Sequence, residues 1–344
     1  MTDHRYFAAS NTGFGFLSRF PEIFDPEKFD TVYIIKGGPG TGKSTFMKKL
    51  GEEAERRGYA PEYYFCSSDI HSLDGLIIRE RGVCVLDGTA PHVTEAKFPG
   101  AVETILNFGA AFDTAALREN GDKIKALAAE NSEMYVRAYA SLRAAREITE
   151  ERLRVCRSFY LSDKAESFIG RFLSGAEKGE VKTVGLGTVC GEGEVRLPTL
   201  ENIAESRYAV TEFYGVEQLL MRDIERFARR RGLAARVGPG CVCPDIPEEI
   251  YFEKSGVHIL GEAGDDGAKP INARRFANVF AVRAERGYLR LTKKLAENAV
   301  MCAASSMKKA GEIHARLEEI YTAHTNFSVI DEIYEKVKDA IFEN

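Results

Sequence analysis

Residues 31–35, Thr-Val-Tyr-Ile-Ile, form an unbroken β-branched and aromatic run, the pattern of a strand buried on both faces. Beyond a glycine-rich break the period changes. From Lys43 to Arg57, Phe46, Met47, Leu50 and Ala54 recur at helical spacing, and Gly58 stands where such a helix stops. Glu62-Tyr63-Tyr64-Phe65-Cys66 predicts a second strand, and Val83-Cys84-Val85-Leu86, between Gly82 and Asp87-Gly88, a third. Ahead of these, Phe7–Ser10 and Asn11–Phe16 predict a short strand and a glycine turn, either an edge strand over the core or a wall on the base and ribose side of a ligand. Pro99 opens a region that reads as largely helical. Ala101–Phe112 is expected as one helical stretch. Residues 123–157 are expected as a long helix or two broken ones, with Leu127, Ala138, Ala145 and Leu153 near one face.

The second half repeats the first. Arg56-Arg57-Gly58 corresponds to Arg230-Arg231-Gly232, Met47 to Met221, and Val83–Leu86 to Val257–Leu260, all at an offset of 174. Pro99 and Asn107 match Pro270 and Asn278 at 171; Ser141, Ala145 and Ile148 match Ser306, Ala310 and Ile313 at 165. An offset that shrinks in order is what deletions in a second copy produce. Two α/β units are expected, residues 1–175 and 176–344, with the boundary near Ser174–Gly179.

Composition sets limits. At 344 residues with 44% hydrophobic and 29% charged residues, the chain has the make-up of a globular protein of two domains. A net charge of −5 argues against general nucleic-acid binding. No apolar run reaches spanning length, and Met1–Tyr6 carries no apolar signal segment, so a cytoplasmic protein without a membrane partner is expected. Seven scattered cysteines suit reduced thiols, and Cys241-Val242-Cys243 is spaced poorly for zinc.

The break after the first strand carries the chemistry. Gly37-Gly38-Pro39-Gly40-Thr41-Gly42-Lys43-Ser44-Thr45 fits a glycine, four residues, Gly-Lys, then Ser or Thr. In such a loop glycines bring backbone N–H groups against phosphate oxygens, and the helix N-terminus favours the anion. Gly38, Pro39, Gly40, Thr41, Gly42, Lys43, Ser44 and Thr45 are the candidate nucleotide-binding residues, with Lys43 reaching the β- and γ-phosphates. Ser44 is a candidate Mg²⁺ ligand. Asp87, closing an apolar strand, fits the second Mg²⁺ ligand of a Walker B strand. Asp69, after Ser67-Ser68, either meets Mg²⁺ or a hydroxyl on a second substrate, as a candidate base, or caps a helix or turn. His92 is expected on a surface loop. Gly88 follows Asp87 where many ATPases carry a water-activating Glu, so any such residue must come from elsewhere, Asp69 or Glu95 for example. In the second half Lys43 maps to Glu217, Ser44 to Gln218 and Asp87 to Gly261, so one working site per chain is expected. Arg226, Arg229, Arg230 and Arg231 could reach that site, but a solvated helix end is the simpler reading.

The glycine loop, Cys66-Ser67-Ser68-Asp69 with Ser72-Leu73-Asp74-Gly75, and Asp87-Gly88-Thr89-Ala90-Pro91-His92 together resemble a family of bacterial proteins with two tandem P-loop-type halves, known as ATPases or P-loop proteins of undefined role. The resemblance implies an α/β fold of P-loop NTPase type, a parallel sheet flanked by helices, duplicated with a long helical segment in each unit, and ATP as ligand. In that family the second half can also carry a P-loop; here it does not. The expected function is Mg²⁺-dependent ATP binding with slow hydrolysis. The alternatives are a kinase acting on a nucleotide or other small-molecule phosphoryl acceptor, with residues 69–110 supplying the acceptor site, and a regulatory switch in which ATP binding changes how the halves pack and turnover is incidental.

Overall fold

The computed structural model describes residues 4–261 and 267–343. In the first half, β1 (Arg5–Phe7) precedes a hairpin of β2 (Ala9–Thr12) and β3 (Gly15–Ser18) and a single turn of helix, α1 (Phe20–Ile23). The apolar run forms β4 (Thr31–Lys36), and the helical pattern after it forms α2 (Lys43–Arg56). Then come β5 (Glu62–Phe65), β6 (Leu73–Ile78), β7 (Val83–Asp87) and β8 (Glu103–Asn107), which complete a sheet ordered β1-β5-β6-β7-β4-β8. α3 (Thr114–Glu119), the 36-residue α4 (Gly121–Cys156) and α5 (Ser162–Phe172) follow.

The second half runs β9 (Val181–Thr183), a hairpin of β10 (Gly187–Cys190) and β11 (Gly193–Arg196), α6 (Thr199–Asn202), β12 (Ser206–Thr211), α7 (Val216–Arg231), β13 (Ala235–Pro239), β14 (Pro247–Phe252), β15 (Val257–Leu260) and β16 (Lys269–Asn272). It ends with the 45-residue α8 (Val279–Ala323) and α9 (Phe327–Phe342). From the β9 edge the second sheet reads β9-β13-β14-β15-β12-β16, which matches the first strand for strand. Pair directions match as well. β4 lies parallel between β7 and β8, as β12 does between β15 and β16. The duplication visible in the sequence is therefore a duplication of topology.

Two expectations are corrected. The sheets are mixed, because β6 runs antiparallel to both β5 and β7. Only Arg79–Gly82 join β6 to β7, too few residues for the crossover that parallel strands need. Leu73–Ile78 hid from the pattern because Asp74 and Gly75 are poor strand formers, although all six positions are buried. Second, 101–112 is not one helix. Glu103–Asn107 is an edge strand that extends the sheet beside β4, with Val32 opposite Glu103 and Ile34 opposite Ile105, and Phe108–Ala111 is a 3₁₀ turn. Thr104 and Ile105, β-branched, suit the strand.

The long helices α4 and α8 pack antiparallel. Leu127 meets Ile313 and Leu317 at one end, while Leu142 and Ala145 share a cluster with Ala303 and Met307. Each carries the chain across to the other unit. Ala165 and Ile169 of α5 pack into the core under the second sheet with Val210 and Ile259. Ile330, Val337 and Ile341 of α9 pack under the first with Ile35, Met47 and Val85. The hairpins also join the halves: Asn11 N–H donates to Thr188 Oγ1 at 3.1 Å, and Asn11 Nδ2 to the Val189 carbonyl at 3.0 Å. Among the described residues no helix is long and apolar enough to cross a membrane.

Candidate functional site

The glycine loop connects the carboxyl end of buried β4 to the first turn of α2. Gly38, Pro39, Gly40, Thr41 and Gly42 form the loop, and Lys43, Ser44 and Thr45 the turn. Gly40 (φ +65°) and Gly42 (φ +79°) adopt the left-handed conformation, open to glycine at little cost. Thr41 Oγ1 donates to the Gly38 carbonyl at 2.8 Å and braces the curve. A Cβ on Gly37 would stand 2.9 Å from that same hydroxyl.

Lys43 and Asp87 are brought together. Lys43 Nζ donates to the Gly38 carbonyl at 2.8 Å and lies 3.6 Å from Asp87 Oδ2. The pairing arises because β7 runs parallel beside β4, with Ile35 opposite Asp87. Asp87 is buried, and its Oδ1 accepts from Thr89 N–H at 2.9 Å and Thr89 Oγ1 at 2.6 Å. Ser44 Oγ accepts from Leu73 N–H at 2.9 Å, which ties α2 to β6. A hydroxyl keeps a second lone pair, so Ser44 and Asp87 each offer oxygen, the donor type that Mg²⁺ takes. Gly88 has a steric reason. A Cβ there would lie 2.4 Å from Ile34 Cγ2, so a glutamate has no room at this position.

Asp69 is exposed, and its Oδ1 accepts from His71 N–H at 2.9 Å in the turn between β5 and β6. Glu95 pairs with Lys36 at 3.1 Å on the surface. The carboxyl that reaches the cluster is Asp74, which carries no role in the sequence reading. The β6–β7 register pairs Gly75 with Leu86, so one step further Asp74 stands beside Asp87. Burial, then the charge of Asp87, push its pKa up to about 8. Its Oδ2 accepts no hydrogen bond among the described residues. His92 is a correction. It is buried, not on a surface loop, because the Phe20 ring stacks on it at 4.3 Å, and its Nε2 lies 3.4 Å from Asp74 Oδ2. Burial holds its pKa below the ordinary value, which favours the neutral ring. The signal for Asp74 was its place thirteen residues before Asp87 in a Leu-Asp-Gly-Leu-Ile-Ile run, masked by the turn-like Asp-Gly.

The outer side of the loop abuts α8, from the other half. Thr322 Oγ1 donates to the Gly40 carbonyl at 3.1 Å, and a Cβ on Gly40 would meet the Glu318 carbonyl at 2.8 Å.

The equivalent place in the second half is differently made. Only Glu212–Gly215 separate β12 from α7, two residues fewer than Gly37–Gly42. Glu217 Oε2 accepts from Phe213 N–H at 2.8 Å and Gly215 N–H at 3.0 Å. The loop's amides are therefore filled by the protein's own carboxylate. Arg152 of α4 stands 3.6 Å away, yet burial raises the Glu217 pKa. Glu248, at the place of Asp74, is pushed up to about 7 by burial and then by Glu194. A cavity of about 430 Å³ remains, lined by Arg152, Glu217, Glu248 and Lys293 among others. Arg229 and Arg230 are occupied on the surface with Glu225 and Glu166, away from the first loop. All seven cysteines are free thiols, and no cluster of metal-binding His, Cys, Asp and Glu occurs among the described residues. Comparison of the chain with protein-family models, with curated proteins and with solved structures finds no match in any of the three.

Proposed function

We propose that the first half is a P-loop nucleotide-binding unit that takes ATP with Mg²⁺, and that turnover there is slow hydrolysis at a single site. The observation that carries this reading is the Lys43–Asp87 pair at 3.6 Å over a glycine loop that joins a buried strand to a helix N-terminus. Lys43 exchanges the Gly38 carbonyl for phosphate oxygens, while the amides of the loop and the dipole of α2 hold the remaining negative charge. Ser44 and Asp87 are the residues to hold Mg²⁺, which would neutralise phosphate charge. With Gly88 barred from carrying a side chain, no carboxylate follows Asp87 to activate water, so hydrolysis is slow.

Transfer to a small-molecule acceptor is the second reading. The buried Asp74 beside Asp87, with an unbonded Oδ2, favours it. A switch is the third. It draws on the Thr322–Gly40 contact, through which a loop movement reaches the 45-residue α8.

One experiment addresses all three. Mg-ATP at a hundredfold excess over its dissociation constant should stabilise the protein by about 2.7 kcal/mol, and Lys43→Ala should remove that shift in melting temperature. An unchanged melting temperature for the wild type at millimolar ATP defeats every version. Turnover measured with and without pooled acceptors then separates hydrolysis, transfer and binding alone.

A further inference from the structure

Residues 274–294 carry seven Lys and Arg against a single acid, Glu285, in a chain whose net charge is −5. Of the seven, Lys293 turns toward Glu212 and Glu297. The other six, Arg274, Arg275, Arg283, Arg286, Arg290 and Lys294, are exposed and form no ion pair among the described residues. Elsewhere on the surface arginines commonly have carboxylate partners, as Arg79 has Glu62, Arg154 has Glu151 and Arg236 has Glu253.

The same stretch exposes large apolar side chains. Phe280 is 79% exposed, Leu291 56% and Leu295 45%. At about 100° per residue these three fall within about 60° of one another, and the four cations of α8 occupy the neighbouring sector of about 80°. The buried residues Val282, Leu289 and Val300 lie on the opposite side of the helix. The apolar row is therefore the outward crest of α8, about 22 Å long, with a cationic flank. Glu297, held by Lys293, closes the flank at its C-terminal end.

The duplicated fold supplies a control. At the offset of 165 between the long helices, Leu291 and Leu295 correspond to Ala126 and Glu130 of α4, and Arg286 and Lys294 to Gly121 and Ala129. Buried positions correspond at the same offset, Thr292 with Leu127 and Ala303 with Ala138. Arg283 and Arg290 keep cationic counterparts in Arg118 and Lys125, so the scaffold forms without the exposed leucines and without two of the four cations.

We propose that the N-terminal part of α8, with Arg274 and Arg275 before it, is a docking face for an anionic lipid surface. The six cations gather anionic headgroups, and Phe280, Leu291 and Leu295 enter the boundary between headgroups and acyl chains. A nucleic acid would match the cations but leaves the leucines without a counterpart. The protein rests on the membrane and does not span it, since no described helix is long and apolar enough to cross. This departs from the expectation of no membrane partner, which rested on the absence of a spanning run.

The test is co-sedimentation of the full chain with sucrose-loaded vesicles of phosphatidylcholine alone and of phosphatidylcholine with phosphatidylglycerol. The wild type should pellet with the anionic vesicles only, and less so as salt rises. L291A/L295E, which installs the residues of the sister helix, and R286Q/K294Q, which removes the cations that helix lacks, should each weaken binding roughly tenfold or more. Both should keep the wild-type circular dichroism. The proposal is overturned if the wild type fails to pellet with anionic vesicles at low salt, or pellets equally with neutral ones. It is also overturned if L291A/L295E binds as well as the wild type and both bind heparin alike, which would mark simple polyanion capture. Self-association that depends on Leu291 and Leu295, without vesicle binding, would make the crest a contact between copies and overturn it too.

Discussion

The loop from β4 to α2 and the loop from β12 to α7 occupy the same place in two sheets of one strand order, and they treat negative charge in opposite ways. The first keeps six residues, two of them left-handed glycines, and sets Lys43 against Asp87. The second keeps four and turns Glu217 back onto the amides of Phe213 and Gly215. Tyr214, at φ +56°, holds a conformation that costs a non-glycine residue energy. The lesson is that the loop between strand and helix can fill its own amides without the surrounding scaffold being dismantled. The amides that would otherwise need an anion are satisfied internally, and Arg152 is supplied by α4 to face the carboxylate.

The largest effect expected from breaking this arrangement is at Glu217. Glu217→Ala leaves the buried Arg152 with only the more distant carboxylate of Glu212, at 3.9 Å, and uncovers two loop amides, so urea unfolding should show a loss of about 3 kcal/mol. Introduced together with Lys43→Ala it should not restore a melting shift with Mg-ATP. A restored shift would mean that the carboxylate, not the shortened loop, disables the second half. A smaller effect is expected at Gly88. Gly88→Ala pushes a methyl group into Ile34 and should cost about 1–3 kcal/mol by the same measurement. An unchanged stability would remove the steric account of why no carboxylate follows Asp87.

A pH-dependent effect concerns the two raised carboxyls, Asp74 and Glu248, which occupy corresponding positions. Each titrates higher in the folded protein than in the unfolded chain, so the native state binds the extra proton and stability falls as pH rises through the window between the two values. For Glu248 that window runs from 4.5 to about 7, and for Asp74 from 3.8 to about 8. Glu248→Gln and Asp74→Asn should each flatten that decline in a pH series of unfolding curves, with Asp74→Asn acting to the higher pH. If Mg-ATP binds the first half, its phosphate charge should alter the Asp74 contribution and leave that of Glu248 untouched.

Much of this was legible along the chain. The uniform apolar run of β4 and the helical spacing of Phe46, Met47, Leu50 and Ala54 are local signals, and they became buried elements as read. Lys43 and Asp87 met because β7 lies parallel beside β4, so Asp87 at the end of β7 stands next to the loop that leads from β4 into α2. Asp74 was not legible. A carboxyl and a glycine at the start of β6 resemble a turn, and only pairing with β7 makes the segment a strand. His92 likewise owes its burial to Phe20, seventy-two residues earlier. Residues 101–112 misled because a short edge strand followed by a 3₁₀ turn spreads its apolar positions at a spacing close to helical.

What the amino-acid sequence determined by itself was the set of local structures and their repetition. Hydrophobic period, glycine placement and motif spacing act over a few residues, and the duplicated copy carries the same pattern. The tertiary structure decided what those pieces meet. It turned β6 antiparallel, placed Asp74 beside Asp87, closed the second loop with Glu217, and sent α5 and α9 to the opposite sheets. The docking of α5 and α9 and the approach of Asp74 to Asp87 depend on contacts between elements, while the antiparallel β6 and the Glu217 closure use short-range contacts whose geometry only the folded chain fixes.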